Sequence, residues 1–300
     1  MAEKLSDLIE SHEPEVFASG FVFTEGPLWD PSGFLYVSDV DARIHYRVYP
    51  GHPPRKEVLR AASGGANGSC IDTRGNVVNC EQDARRVVRL EHDGSRTVLT
   101  TGSTRVRLNR CNDVVCRADG SIYFTDPDKF LNPVERDLGH SAVWRLRPDP
   151  AAVHPGYVLS MVASDINHPN GLAFSPDGRK LYVSNTRPDP HLHEYSVSAD
   201  GSLTDSQAFA DMPYGPKGEL DGVPDGLKLD EDGRIYCTGP GGVWVWSAAA
   251  ALIGVIKLPE LPANLNWGDP DHRTLYITAR TSVYRLRMKV AGAPALAATA

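Results

Sequence analysis

Leu5, Leu8 and Ile9 share one helical face within the first dozen residues, and no comparable 3.6-residue periodicity follows them. From about residue 15 onward, apolar and polar positions alternate in short runs closed by Asp, Gly, Pro or Ser. This pattern predicts a short helical segment within 1–14 and strands thereafter. The stretch HPNGLAFSPDGRKLYVSNT (168–186) shows the unit clearly. Ser-Pro-Asp-Gly is a tight turn, with Pro setting φ and Gly accepting a backbone conformation that side chains resist. Its flanks, Leu-Ala-Phe and Leu-Tyr-Val-Ser, form a hairpin. The turn does not account for Asn170-Gly171, a second turn-forming pair placed before the first strand.

That unit recurs. TEGPLWDPSGFLYVSD (24–39), ANGSCIDTRGNVVNCE (66–81), CNDVVCRADGSIYFTD (111–126), PNGLAFSPDGRKLYVSN (169–185), PDGLKLDEDGRIYCTG (224–239) and PANLNWGDPDHRTLYITA (262–279) align as six repeats. Each has an anchor residue, an alternating strand, a turn rich in Asp and Gly, and a second strand ending in a small polar residue. Further strand-like pieces lie between them, including RRVVRLEHDGSRTVLT (85–100), SAVWRLRP (141–148) and LHEYSVSADGSL (192–203). Four strands in each period of roughly 40 to 45 residues mark a β-propeller. The expected fold is therefore all-β: a six-bladed propeller over 15–289, with 1–14 as an N-terminal segment and 290–300 as a flexible tail. Residues Glu15 to Ser19 are the candidate outermost strand of the last blade, closing the ring.

Radial repetition places equivalent residues around one axis. The anchors are Glu25, Asn67, Asn112, Asn170, Asp225 and Asn264, all carboxylates or carboxamides, expected at one mouth of the central channel. Asn or Asp before Gly also shapes local turns, which explains four of the six tolerably but Glu25 poorly. Two carboxylates converging on a poorly solvated channel repel, so a proton or a counter-ion must lie between them. A divalent cation meets that need, giving a propeller with a central metal site. Oxygen donors suit Ca2+ first, with Mg2+ or Mn2+ as alternatives. Zn2+ is disfavoured because it usually takes an imidazole. Asp39, Glu81 and Asp126 occupy matching positions at the ends of second strands, where the simplest reading is that they tie neighbouring blades together.

Composition narrows the partners. A net charge of −7, with no basic stretch, gives nucleic acid no electrostatic purchase. No apolar run approaches the ~20 residues needed to cross a bilayer. The charged start, MAEKLSDLIESHEPEVF, does not read as a secretory signal, and the five cysteines lack CxxC spacing. The expectation is a cytoplasmic protein with reduced thiols. No G-x-S-x-G elbow supports a serine hydrolase, and GPGGVW (239–244) lacks dinucleotide spacing. His191 and His193 share a strand face but lie outside the inner strands, far from the ring.

FTEGPLWD, NRCNDVVCRADGSIYFTDP, PNGLAFSPDG, GVPDGLKLDEDGRIYCTGPGGVWV and WGDPDHRTLYITAR resemble the recurring segments of the gluconolactonase, regucalcin (senescence marker protein) and luciferin-regenerating enzyme family, from about residue 15 to 288. The resemblance implies a six-bladed propeller holding a divalent cation, with Glu25, Asn170 and Asp225 as ligands and Asn112 as a fourth ligand or a substrate contact. It also implies that Arg110 contacts the substrate, a sugar lactone opened by hydrolysis. For that reaction Asp225 is the candidate general base, with Arg110 and Asn112 orienting sugar hydroxyls. Rival readings are hydrolysis of other esters or phosphotriesters at the same site, and a propeller that binds calcium without turnover. The chain departs from the resemblance at Cys80-Glu81-Gln82 and at Asp128-Lys129-Phe130, in segments expected to rim the pocket.

Overall fold

A computed structural model describes residues 3–10, 13–128, 131–152, 156–213 and 221–294. Its strands form six four-stranded antiparallel sheets. Blade 1 spans residues 24–61, blade 2 spans 66–100, blade 3 spans 114–163, blade 4 spans 169–211 and blade 5 spans 227–256. Blade 6 takes three strands from 262–287 and its fourth from Glu15–Ser19, which pairs with Ser282–Arg287 in the register Glu15↔Arg285 and Ser19↔Ser282. The ring is thus closed by the segment expected from the sequence. First strands line the axis and pack on one another around it, and second strands are buried almost throughout, as in Phe34–Asp39 and Ile122–Asp126. Such doubly covered strands carry near-continuous apolar runs. Fourth strands such as Arg55–Ala61 are largely exposed.

The core lies between blades. Leu265, Trp267, Leu275 and Ile277 of blade 6 pack with Val243 and Val245 of blade 5, and Leu8 with its neighbours Leu5 and Ile9 covers the same cluster. The predicted helical segment is a single turn, Leu5–Leu8, and its shared apolar face is what docks it. At the other terminus, the Gly292 N–H donates to His272 O and the Ala293 N–H to Leu229 O, so the chain stays packed past residue 289, against blades 5 and 6.

The joints between blades explain the glycine that follows four of the six anchors, Glu25, Asn67, Asn170 and Asp225. Gly68 N–H donates to Asn112 O at 2.9 Å, Gly171 N–H to Asp225 O at 3.2 Å and Gly226 N–H to Ala263 O at 2.8 Å. A Cβ on Gly171 would stand 2.5 Å from Asp225 O, and one on Gly226 would stand 2.1 Å from Asn264 Oδ1. Asn170-Gly171 is therefore no hairpin turn: glycine is required there because the next blade's backbone touches it. A hydroxyl near the end of the second strand adds a clamp. Ser38 Oγ donates to Asn67 O at 2.8 Å, Thr125 Oγ1 to Asn170 O at 2.6 Å, Ser184 Oγ to Asp225 O at 2.6 Å and Thr238 Oγ1 to Ala263 O at 2.8 Å.

The polar residues that end the second strands also hold the chain. Asp39 accepts the Val22 and Phe23 N–H groups, Asp126 Oδ2 accepts the Asn109 N–H and Trp144 Nε1–H, and Asn185 Oδ1 accepts the His168 N–H. Each fastens the loop that enters its own blade. Glu81 differs: fully buried, it receives Arg60 from blade 1 together with Arg86 and Arg96 from its own blade.

Candidate metal and substrate site

The first strands aim the anchors inward through a local irregularity. Pairing with the second strand slips between Glu25 and Leu28, Ala66 and Ser69, Pro169 and Leu172, and Pro262 and Asn264. A bulge breaks the two-residue alternation and re-aims the side chain at that point. In blades 3 and 5 the strands proper begin at Val114 and Leu227, just past Asn112 and Asp225. Five anchors are buried, and Asp225 is half-buried.

Their hydrogen bonds leave oxygen atoms unused. Glu25 Oε2 accepts the Gly26 N–H at 2.8 Å and Asn264 Nδ2–H at 2.9 Å, which fixes the carboxylate. Asn170 donates from Nδ2 to Thr186 Oγ1 at 3.1 Å, while its buried Oδ1 has no hydrogen-bond partner. Asn67 repeats this arrangement: Nδ2 donates to Gln82 Oε1 at 3.2 Å and the buried Oδ1 is unpartnered. Buried oxygens left without a donor are costly unless a cation or water meets them. The backbone of Asp225 is gripped from blade 4 by the Gly171 N–H and the Ser184 hydroxyl, so its side chain is well positioned.

Electrostatics gives the same picture. Burial pushes the Glu25 carboxyl up to about 7; the Gly26 N–H and the Asn264 amide oppose the rise, Asp113 adds to it and Lys228 counters it. Asp225 is held well above the usual carboxylate range by burial, then by Glu25 and Asp113, with Asn170 opposing. Carboxyls raised by burial and by neighbouring carboxylates are what a divalent cation relieves. Among the described residues no three His, Cys, Asp or Glu side chains gather as a complete ligand set, so any ion here would need carboxamide oxygens beside the carboxylates. The residues present fit a hard cation.

Asp113 and Lys228 belong to this site although the sequence reading passed over them. Asp113 is buried, and its Oδ2 lies 3.8 Å from Lys228 Nζ. Both carried a signal in the repeat. Asp113 stands where four of the other five anchors are followed by Gly, and Lys228 is charged where the other repeats place Leu28, Cys70, Val115, Ala173 and Trp267.

Arg110 sits on the segment entering blade 3. Its guanidinium is paired with Asp83, which also meets Arg43 Nε at 3.1 Å. The loop carrying Asp83 also carries Gln82, the partner of Asn67, so Arg110 and the anchor ring share one end of the propeller. Of the two departures noted above, Cys80 and Glu81 are buried in blade 2 and only Gln82 reaches the ring. Asp128 is buried and bound to Arg136 and Ser141, and Lys129 and Phe130 lie outside the described residues. His191 and His193 contact each other on the third strand of blade 4, and His193 Nε2 meets Ser206 Oγ at 2.7 Å; neither joins the ring.

The architecture is that of a six-bladed propeller with an oxygen-lined axial mouth. The chain belongs to the SMP-30/Gluconolactonase/LRE-like region family, whose pattern matches residues 23–281. It is 29% identical to the gluconolactonase of Zymomonas mobilis, covering 96% of this chain and 85% of that protein. The gluconolactonase of Xanthomonas campestris superposes with a TM-score of 0.83 at 30% identity, covering 95% of this chain and 92% of that one. Regucalcin of Agrobacterium tumefaciens, a calcium-binding protein, shares the fold with a TM-score of 0.74 at 19% identity, over 98% of this chain and 97% of its own.

Proposed function

We propose that this protein is a divalent-cation-dependent hydrolase of sugar lactones, working in the cytoplasm. The observation that carries this reading is the meeting of Glu25, Asn170 and Asp225 at one mouth of the channel, with the buried Asn170 Oδ1 lacking a donor and both carboxyls raised. The lactonase relatives supply the substrate class. The five cysteines, all free thiols, accord with a reducing compartment.

Glu25, Asn170 and Asp225 would hold the cation, with Asn112 as a fourth ligand or a substrate contact; Ca2+ is the first candidate, then Mg2+ or Mn2+. When bound, a divalent cation supplies electrophilic stabilisation of the negative charge that develops on a lactone carbonyl oxygen. The chain's own groups do the rest. Asp225, half-buried where Glu25 is buried, faces both the ring and arriving solvent, and its carboxylate takes the proton of the water that adds to the carbonyl carbon. Collapse of the adduct breaks the ring C–O bond, and the former ring oxygen leaves as a hydroxyl carrying the returned proton. The product is an open-chain hydroxy acid. Arg110, braced by Asp83, and Asn112 hold the sugar hydroxyls so that the carbonyl meets the water.

The test is metal analysis of the purified protein combined with a pH-indicator assay over five- and six-membered sugar lactones, with and without chelator. About one bound divalent ion per chain, and hydrolysis abolished by chelation and restored by Ca2+, Mg2+ or Mn2+, is the expected result. Hydrolysis that survives exhaustive chelation overturns the cation requirement. A metal-loaded protein inert towards every lactone overturns the activity.

A further inference from the structure

We propose that Lys228 is a tethered cation inside the axial channel, cancelling the charge of Asp113 and thereby limiting how tightly the ring binds its divalent ion. This inference rests on the cation reading given above and adds to it residues outside the proposed ligand set.

Leu227 and Leu229 both turn into the core, so the intervening Lys228 must face the other way. Its ammonium donates to Leu227 O at 3.0 Å and lies 3.8 Å from Asp113 Oδ2, which comes from a blade two positions away. The side chain therefore reaches across the channel instead of extending into bulk solvent; only 20% of it is exposed. Asp113 is pinned on its other oxygen, where Oδ1 accepts the Val114 N–H at 2.8 Å, while Oδ2 is buried without a hydrogen bond. A Cβ on Gly68 would stand 2.2 Å from that Oδ1, so the glycine of blade 2 is what leaves room for the Asp113 carboxylate. The carboxylate is fixed, poorly solvated, and has the Lys228 ammonium as its near cation.

The charge arithmetic gives the pair its meaning. Ionised, as a bound cation would require, Glu25, Asp113 and Asp225 carry three negative charges, and Lys228 carries one positive charge. The sum of −2 is matched by one divalent cation. Without the ammonium, the same space would present −3, and a charge several ångströms away at an effective dielectric near 20 changes cation affinity by roughly tenfold or more. Lys228 is therefore a restraint on affinity.

Calcium titration calorimetry on chelator-stripped full-length protein tests this. Lys228→Met is expected to bind Ca2+ at least tenfold more tightly than the parent, Asp113→Asn at least tenfold more weakly, and the double variant within about threefold of the parent. Lys228→Arg keeps the charge and is expected to keep the affinity. Thermal melting gives an independent readout: stripped Lys228→Met melts lower than the stripped parent, and saturating Ca2+ closes the gap. If Lys228→Met folds poorly, Lys228→Gln carries the same test. A parent that binds one ion and a Lys228→Met that binds it no more tightly overturn this inference alone. A parent that takes up neither Ca2+, Mg2+ nor Mn2+ removes the cation reading and this inference together.

Discussion

Asn264 Nδ2 donates to Glu25 Oε2 at 2.9 Å, joining the sixth blade to the first across 239 residues of chain. Asn264 Oδ1 meanwhile accepts the Leu265 N–H at 2.8 Å, so one carboxamide serves both a strand and a candidate ligand. Asn264→Ala removes both contacts. The expected outcome is a loss of about 1–2 kcal/mol in denaturant unfolding and weaker Ca2+ binding, because the Glu25 carboxylate loses the donor that fixes its orientation. Unchanged calcium affinity in a folded variant would falsify the orienting role.

Gly171 exists to let two blades touch. A Cβ there would stand 2.5 Å from Asp225 O and 2.7 Å from Gly226 Cα, both backbone atoms that cannot swing aside. Gly171→Ala is expected to cost about 3 kcal/mol and to lower turnover, since the displaced backbone carries Asp225. Ser184→Ala, which removes the 2.6 Å hydroxyl clamp on the same carbonyl and a longer 3.4 Å contact with Gly171 O, is expected to cost about 1 kcal/mol. If Gly171→Ala is as stable and active as the parent, the close-approach account of the Asn-Gly repeat fails.

That repeat is where sequence and structure meet most directly. Period, blade number and the Glu15–Ser19 closing strand were legible because a propeller writes one supersecondary unit six times. The anchors were legible for the same reason. The polar interior of the channel was not, because Asp113 and Lys228 break the repeat, and a comparison looking for sameness passes over exceptions. Their pairing also spans 115 positions, a separation no local pattern encodes. Nor did the sequence reveal that the glycines after the anchors serve the neighbouring blade: a steric requirement imposed by another strand looks, in one dimension, like turn chemistry.

Asp225 is the residue on which turnover is expected to depend. Asp225→Asn keeps the volume and the backbone clamps from blade 4 but removes the proton acceptor. A fall in kcat of at least a thousandfold is expected, with native-like circular dichroism. Near-normal hydrolysis by folded, calcium-loaded Asp225→Asn would assign the base to another group.

Arg110 is paired with Asp83, which it shares with Arg43. Arg43 is largely exposed, so its own pairing contributes little. Asp83→Ala removes this ion pair from the Arg110 guanidinium and with it one restraint on its orientation. The expected result is a rise in KM for sugar lactones of about tenfold with kcat changed by less than threefold, the pattern of lost ground-state binding. An equal fall in kcat with KM unmoved would place Arg110 in the chemical step instead.

Two buried groups far apart in the ring pull the pH dependence of stability in opposite directions. His45 is fully buried, and burial, then Arg60 and Arg47, lower its pKa from 6.5 to about 3. The unfolded chain takes up a proton near pH 6.5 that the folded imidazole refuses, so this group's contribution is full above pH 6.5 and is lost as pH falls towards 3. Asp126 behaves conversely. Burial raises it from 3.8 to about 7, so the folded state binds the extra proton, and its contribution is full below pH 4 and lost as pH rises through 7. These two contributions nearly cancel between pH 5 and 7.5, and the raised carboxyls of Glu25 and Asp225 add to the Asp126 side, which is why single variants are needed. At pH 5 the parent is expected to lose about 2 kcal/mol relative to its stability at pH 7.5 through His45 alone, a loss His45→Gln does not suffer. Asp126→Asn is expected to gain on the parent as pH rises from 5 to 8, although its new amide N–H has to find a partner where Oδ1 has none. Urea melts of the three proteins across that range decide the matter: differences from the parent that do not change with pH would mean that neither group titrates as its burial dictates.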